Sequence, residues 1–474
     1  MESCTTVASA APTSRRVSCV ASAFGGAHVR GTAACGTNLV PSADSPSGDG
    51  PPTPWRWIPS LYFSQGLPYV AVMTLSVVLF KNLKVSNTEI AFYTSWLYLP
   101  WAIKPLWSPL VEFCRTKRFW IVGLQLVMGA AFAAIALAIP GPQFFRLTLA
   151  GFWLLAFSSA THDIAADGFY MLALPGHLQA AFVGVRSLFY RLAMIAGQGG
   201  LVYLAGSIQS RTGDVGRAWA VVFVLLATLF VAAGLYHLFV LPRPAADLAV
   251  RERTSLVADF LAVFAAFFQR KGIAAMLAFL LLYRFAEAQL LKLVTPFLLD
   301  GREVGGLGLT TQDVGVVYGT VGVGALLLGG LLGGWAISRH GLKRLLWPML
   351  IAMHVPNLVF LLLALAQPAN LFVVGGALAM EQFGYGFGFS AYMLYMILVS
   401  DGAHKTAHYA ICTGFMALGM MVPGLFAGWI QDHLGYTKFF VWVLLATIPS
   451  FAAAARVRID PAFGKAKGSA ASRT

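Results

Sequence analysis

From Trp55 onward the chain alternates long apolar stretches with short polar connections. Each stretch runs for about 20 residues, enough for a helix to cross the hydrocarbon core of a bilayer. They fall near 57–80, 89–110, 119–139, 147–171, 183–206, 218–241, 272–298, 314–338, 345–366, 370–398, 407–431 and 438–455. The pattern predicts an all-α integral membrane protein of twelve transmembrane helices in two sets of six, 55–241 and 271–456. A polar linker, 242–270, joins the sets and carries Arg243, Arg251, Glu252, Arg253, Asp259 and Arg270, with Lys271 just beyond. Residues 457–474 form a basic tail. Residues 1–54 are rich in Ser, Ala, Gly, Pro and Thr, with no acid between Glu2 and Asp44, and are expected to be disordered. A transit peptide or an over-extended gene start shares that composition, and both readings stay open.

Composition agrees. Of 474 residues 58% are hydrophobic and 11% charged, against about 25% charged in soluble domains. The net charge of +14 raises the question of a nucleic-acid partner, but that needs a basic soluble face, and no segment offers one. The charge has a better account in the positive-inside rule. Of 33 Lys and Arg residues, 21 fall in the tails and even-numbered connections, 7 in the odd-numbered connections and 5 within spans. Both termini are therefore expected in the cytoplasm of an inner-membrane protein. The five cysteines have no spacing that suggests zinc or a disulfide framework, and no cofactor is implied.

The two sets of six resemble each other. Ala205-Gly206-Ser207-Ile208-Gln209 followed by Gly213 returns as Ala427-Gly428-Trp429-Ile430-Gln431 followed by Gly435, at an offset of 222. Val224-Leu225-Leu226-Ala227-Thr228 returns as Val443-Leu444-Leu445-Ala446-Thr447, at an offset of 219. Parallel six-helix repeats with a central linker are the plan of one large class of secondary transporters.

Ionisable groups at bilayer depth are expensive and mark functional positions. In the fourth segment Asp163 and Asp167 are four residues apart and share a helix face. Two carboxylates so placed coexist most easily when one holds a proton. They read either as a proton or cation site, or as partners in salt bridges to Arg186 or Arg191 of the fifth segment. His162 and Asp167 also match the H-x-x-x-x-D spacing of glycerolipid acyltransferases. That reading fails, because the pair lies inside an apolar helix with no folded domain beside it. In the seventh segment Arg284 and Glu287 are i, i+3, and read either as a self-neutralising pair or as substrate ligands, with Lys292 two turns on. Lys104 precedes Pro105, and either snorkels to the interface or joins the site. Glu381 lies 218 residues after Asp163, close to the repeat offset. Trp96, Trp101 and Trp107 read as sugar-stacking rings or as interfacial anchors.

At these residues the chain resembles the AmpG-type muropeptide permeases, a branch of the major facilitator superfamily related to acetyl-CoA transporters. The resemblance runs from about Trp57 to Ala455. It is carried by Phe63-Ser64-Gln65-Gly66-Leu67-Pro68, by Leu99-Pro100 through Lys104 to Pro109, by Ser159-Ala160-Thr161-His162-Asp163-Ile164-Ala165 with Asp167, and by Tyr190-Arg191-Leu192. Leu282-Tyr283-Arg284, Thr295-Pro296-Phe297-Leu298-Leu299 and His408-Tyr409-Ala410 continue it. The connection Gly334 to Arg344 is similar to that superfamily's G-x-x-x-D-R-x-G-x-[KR]-[KR] loop, with Ser338 in place of Asp. The chain departs from the branch at His162, where Gln is usual, and at Arg284 and Glu287, where Lys and Asp are usual. The resemblance implies proton-coupled import of N-acetylglucosaminyl-anhydro-N-acetylmuramyl products, a glycan or glycopeptide solute, for peptidoglycan recycling. Asp163 or Asp167 would carry the proton, with Glu287 and Glu381 as further proton-coupling candidates. Lys104, Arg191 and Arg284 would face the solute's carboxylate. Gln65, His162, Arg186, Tyr190 and Lys292 complete the expected substrate-binding set. Alternatives are a siderophore or acyl-CoA-like solute in the same fold, or a membrane sensor that binds without transporting.

Overall fold

A computed structural model describes residues 53–464, apart from residues 114, 245–246, 248–255, 403–404 and 462. The described residues are helical and contain no strand. Helix covers each of the twelve predicted segments, and nine helices among the described residues are long and apolar enough to cross a membrane. The predicted tail before residue 53, most of 457–474 and four of the five cysteines lie outside the described residues. Cys412 is buried.

Several segments are not simple rods. The second is split into Asn87–Trp96 and Leu99–Phe113, and the seventh into Ile273–Leu282 and Phe285–Leu299. A break at membrane depth strands backbone carbonyls that no water can satisfy. In the seventh segment side chains replace the lost bonds. His354 Nε2 donates to the Tyr283 carbonyl at 3.1 Å, Ser450 Oγ to Leu282 at 2.8 Å and Tyr392 OH to Leu280 at 2.6 Å. Segments one, five and eight each contain a wider i→i+5 turn, at Ala71–Leu75, Ala196–Leu201 and Gly315–Gly322. Such turns favour functional positions.

The segment read as a polar linker contains a helix, Leu256–Phe268. Its charges lie mostly at the two ends, at Arg243, Arg251–Arg253 and Arg270–Lys271, leaving a largely apolar run between them. The linker is also anchored. Asp247 accepts from the backbone amides of Lys117 (2.7 Å) and Arg118 (3.1 Å), the first turn of the helix Lys117–Ala138. Those amides have no partner within their own helix, and a carboxylate there also suits the helix dipole.

The sequence repeat has a geometric counterpart. A Cβ on Gly206 would lie 2.4 Å from the Gln312 amide nitrogen, and one on Gly428 2.2 Å from the Asn87 carbonyl oxygen. Segment five thus packs on the start of segment eight as segment eleven packs on the start of segment two. Those two starts are capped alike, Ser86 accepting from the Glu89 amide and Thr310 from the Asp313 amide. Gly213 and Gly435 both take positive φ, 70° and 73°, where an L side chain is strained.

Candidate functional site

The acids of the fourth helix, Phe144–Ala173, have different surroundings. Asp167 pairs with Arg186 at 2.8 Å, and the guanidinium stacks over Tyr62 (4.6 Å) and Tyr170 (5.2 Å). Asp163 has no ion pair within 4.0 Å among the described residues. Trp101 Nε1 donates to it at 3.1 Å, and Gln65 and Lys104 lie close enough to act on it. The Gln65 Oε1 atom is buried and has no hydrogen-bond partner.

His162 does not join them. Neighbouring residues on a helix are about 100° apart, so His162 turns toward the third and sixth segments. There it is buried and meets Gln125 at 3.2 Å. Gln125 accepts from His237 Nδ1 at 2.8 Å, and His237 Nε2 meets Ser60 at 2.9 Å. This chain ties four helices of the first set together.

In the seventh segment Arg284 sits at the break, as the residue before Phe285–Leu299. Its guanidinium grips Glu287 with two bonds, 2.6 and 3.1 Å, and donates to Tyr385 OH at 2.7 Å, with Phe389 4.9 Å beneath it. Arg284 and Glu287 are both buried. Tyr69 and Tyr98 lie within electrostatic reach of both charges of that pair, and Tyr69 also of Asp163. Tyr69 meets Trp101 edge to face at 5.4 Å. A half-buried aromatic cluster therefore bridges the two sets of six. Tyr69, Tyr98, Tyr318 and Tyr385 were not singled out by sequence, because one tyrosine in an apolar run is ordinary.

Glu381 is buried and accepts only from its neighbour Gln382, at 2.9 Å, with no cation within 4.0 Å among the described residues. Tyr190 lies where segments one and five touch, its carbonyl 2.8 Å from a Cβ built on Gly66. Arg191 has a long bond to Ser187, 3.5 Å. Trp107 donates to Thr161 rather than to a carboxylate. Lys292 is buried and reaches Thr94 Oγ1 of the second segment at 3.0 Å.

A polar latch closes the end opposite the linker. Lys81 pairs with Asp300 at 2.7 Å, and Tyr436 OH donates to the same carboxylate at 2.6 Å. Asn87 Nδ2 donates to Gln431 at 2.7 Å, and Asn82 to Thr311 at 2.9 Å. Thr311 in turn reaches Gln209 at 3.4 Å. The glutamines that end the two copies of the repeat thus meet equivalent positions at the starts of segments two and eight.

Polytopic helices in a duplicated plan, with charged groups gathered between the two sets, define a membrane transporter of the secondary type that moves a small molecule. The chain belongs to the Major Facilitator Superfamily, whose pattern matches residues 60–408. The AmpG-type resemblance holds as well: an anhydromuropeptide permease of Escherichia coli (strain K12) is 27% identical over 394 residues, 82% of this chain and 76% of that one. Among solved structures, a bacterial homologue of the human lysosomal transporter Spinster, inward-facing and unoccupied, superposes with a TM-score of 0.65 at 14% identity, over 85% of this chain and 96% of that one. A D-xylose–proton symporter gives 0.65 at 13%, over 86% and 98%. These two likenesses concern the fold.

Proposed function

We propose that the protein imports anhydro-muropeptides with protons across the inner membrane, both termini lying in the cytoplasm. Two six-helix halves, 55–241 and 271–456, rock about the aromatic cluster. The observation that carries the coupling is Asp163, a carboxylate at membrane depth that faces the cluster without a cation bonded to it, while Asp167 beside it is neutralised by Arg186. A carboxylate left unpaired there is best satisfied by a proton. Gln65 suits both states: its side-chain amide lies within reach of the carboxylate, where it can donate, and its unpartnered oxygen can accept from the acid once the amide flips. Glu381 is the corresponding unpaired acid of the second half. The name of the Escherichia coli relative supports the cargo, and the excess of Lys and Arg in the tails and even-numbered connections supports the orientation.

The test is uptake of labelled anhydro-muropeptide by proteoliposomes under an imposed pH gradient. Wild type should accumulate solute above equilibrium. Asp163→Asn should lose at least tenfold of gradient-driven uptake and keep solute exchange. Gradient-driven uptake by that variant at the wild-type rate would remove Asp163 from coupling.

A further inference from the structure

The sequence offered Lys104, Arg191 and Arg284 as cations for an anionic solute. The structure leaves Arg284 doubly bonded to Glu287 and puts Lys104 beside Asp163. Arg191 is half-buried with only its long bond to Ser187. Of the two buried Lys and Arg side chains among the described residues, Arg284 and Lys292, the one without a carboxylate is Lys292. It is 4% exposed, with no acid within 4.0 Å among the described residues. Its contacts are Thr94 Oγ1 at 3.0 Å and the Tyr98 ring at 5.0 Å, both on the second segment of the other half. An ammonium has three donors, and Thr94 takes one.

A second group there also lacks a partner. Ser95 is fully buried and its Oγ makes no hydrogen bond. Gly424 of segment eleven stands between the two: a Cβ on it would lie 2.6 Å from Ser95 Oγ and 3.4 Å from the Lys292 Cε atom. Segments seven and eleven therefore close over a serine of the other half whose hydroxyl has no partner, beside a lysine with one hydrogen bond, to Thr94. Burying a donor that finds no acceptor destabilises a folded state, so packing alone does not account for the pair. The arrangement fits a group that binds here in another state.

The position says which state. Thr94 is seven residues, roughly 10 Å, deeper along segment two than the latch residue Asn87. Opening the latch separates segment two from segments seven and eleven. That motion breaks the Lys292–Thr94 bond and bares the ammonium and the serine hydroxyl toward the entry side.

We propose that Lys292, with Ser95, forms a capture site for the carboxylate of the incoming solute when the latched end opens. This rests on the import reading above. Closure then returns Lys292 to Thr94 and releases the carboxylate inward toward the aromatic cluster.

The experiment compares uptake of labelled anhydro-muropeptide with that of its carboxyl-amidated form by wild type, Lys292→Gln, Lys292→Arg and Ser95→Ala. The expected result for Lys292→Gln is a KM at least tenfold higher for the acid and within twofold of wild type for the amide. Lys292→Arg should stay within a few-fold for both. Should Lys292→Gln not fold, Ser95→Ala reports the same site through a few-fold rise in KM for the acid alone. Equal effects on acid and amide, or none on either, overturn the proposal. If wild type transports neither solute, the import reading fails, and the site is read by thermal shift of the purified protein. Lactate should then stabilise wild type more than lactamide does, and a shift unchanged in Lys292→Gln overturns the site.

Discussion

At the scale of single residues, the two acids of the fourth segment separate structural from chemical duty. The Asp167–Arg186 pair has side chains 45% and 29% exposed, so solvent screening limits it to about 0.2–1 kcal/mol. In a double-mutant cycle with Asp167→Asn and Arg186→Gln, the coupling measured by thermal unfolding in detergent should stay within that range, and both single variants should keep gradient-driven uptake. The Arg284–Glu287 pair is a different case, because both partners are buried. Glu287→Gln leaves an unneutralised guanidinium and should destabilise by about 3–5 kcal/mol, while Arg284→Met with Glu287→Gln should recover much of the loss. Chemical denaturation of wild type and the two variants checks this. Sequence showed that Asp163 and Asp167 share a face. It did not show which acid the arginine takes, since Arg186 arrives from another helix, 19 residues on. His162 misled for a local reason: adjacency in the chain is divergence on a helix.

Between elements, the informative features are breaks and cross-half bonds, and both were hidden from a reading by hydropathy. Tyr283-Arg284 contains neither Pro nor Gly, the usual signals of interruption, whereas the break at Leu97-Tyr98 stands just before Pro100. The break in the seventh segment persists because serine, tyrosine and histidine side chains on other helices accommodate the freed carbonyls, which is tertiary information. The latch has the same character. Lys81 and Asp300, with side chains 14% and 20% exposed, are far apart in sequence and carry no local mark. Lys81→Met removes the ion pair and should favour the state open at that end. A shift of one to two kcal/mol would change its population about 5- to 30-fold. A cysteine placed at Ser95 in a cysteine-free background should then react with an impermeant maleimide several-fold faster in the Lys81→Met protein than without that change.

For the whole molecule, sequence was strongest where the physics is collective. The apolar lengths and the repeat both describe many residues at once, and helix covers every segment the apolar lengths predicted. The repeat also held more than ancestry. Gln209 and Gln431 end its two copies and take equivalent places in the latch. The central cluster was less legible. Lys292 stood out as a charge in an apolar run, but Tyr69 and Tyr98 acquire meaning only once helices from both halves are set side by side, and no pattern within one helix encodes that register.

The linker carboxylate at the head of the third helix also bears on the order of synthesis. Asp247 follows the amides it caps by 130 and 129 residues. At about 5–20 residues per second, a ribosome needs roughly 6–26 s to travel from one to the other. During that interval the third to sixth helices are made, yet the head of the third stays open to water. The linker therefore acts as a clasp that is fastened last. A nascent chain released after residue 250 should resist limited proteolysis near residue 117 better than one released after residue 241, although both contain the same six helices.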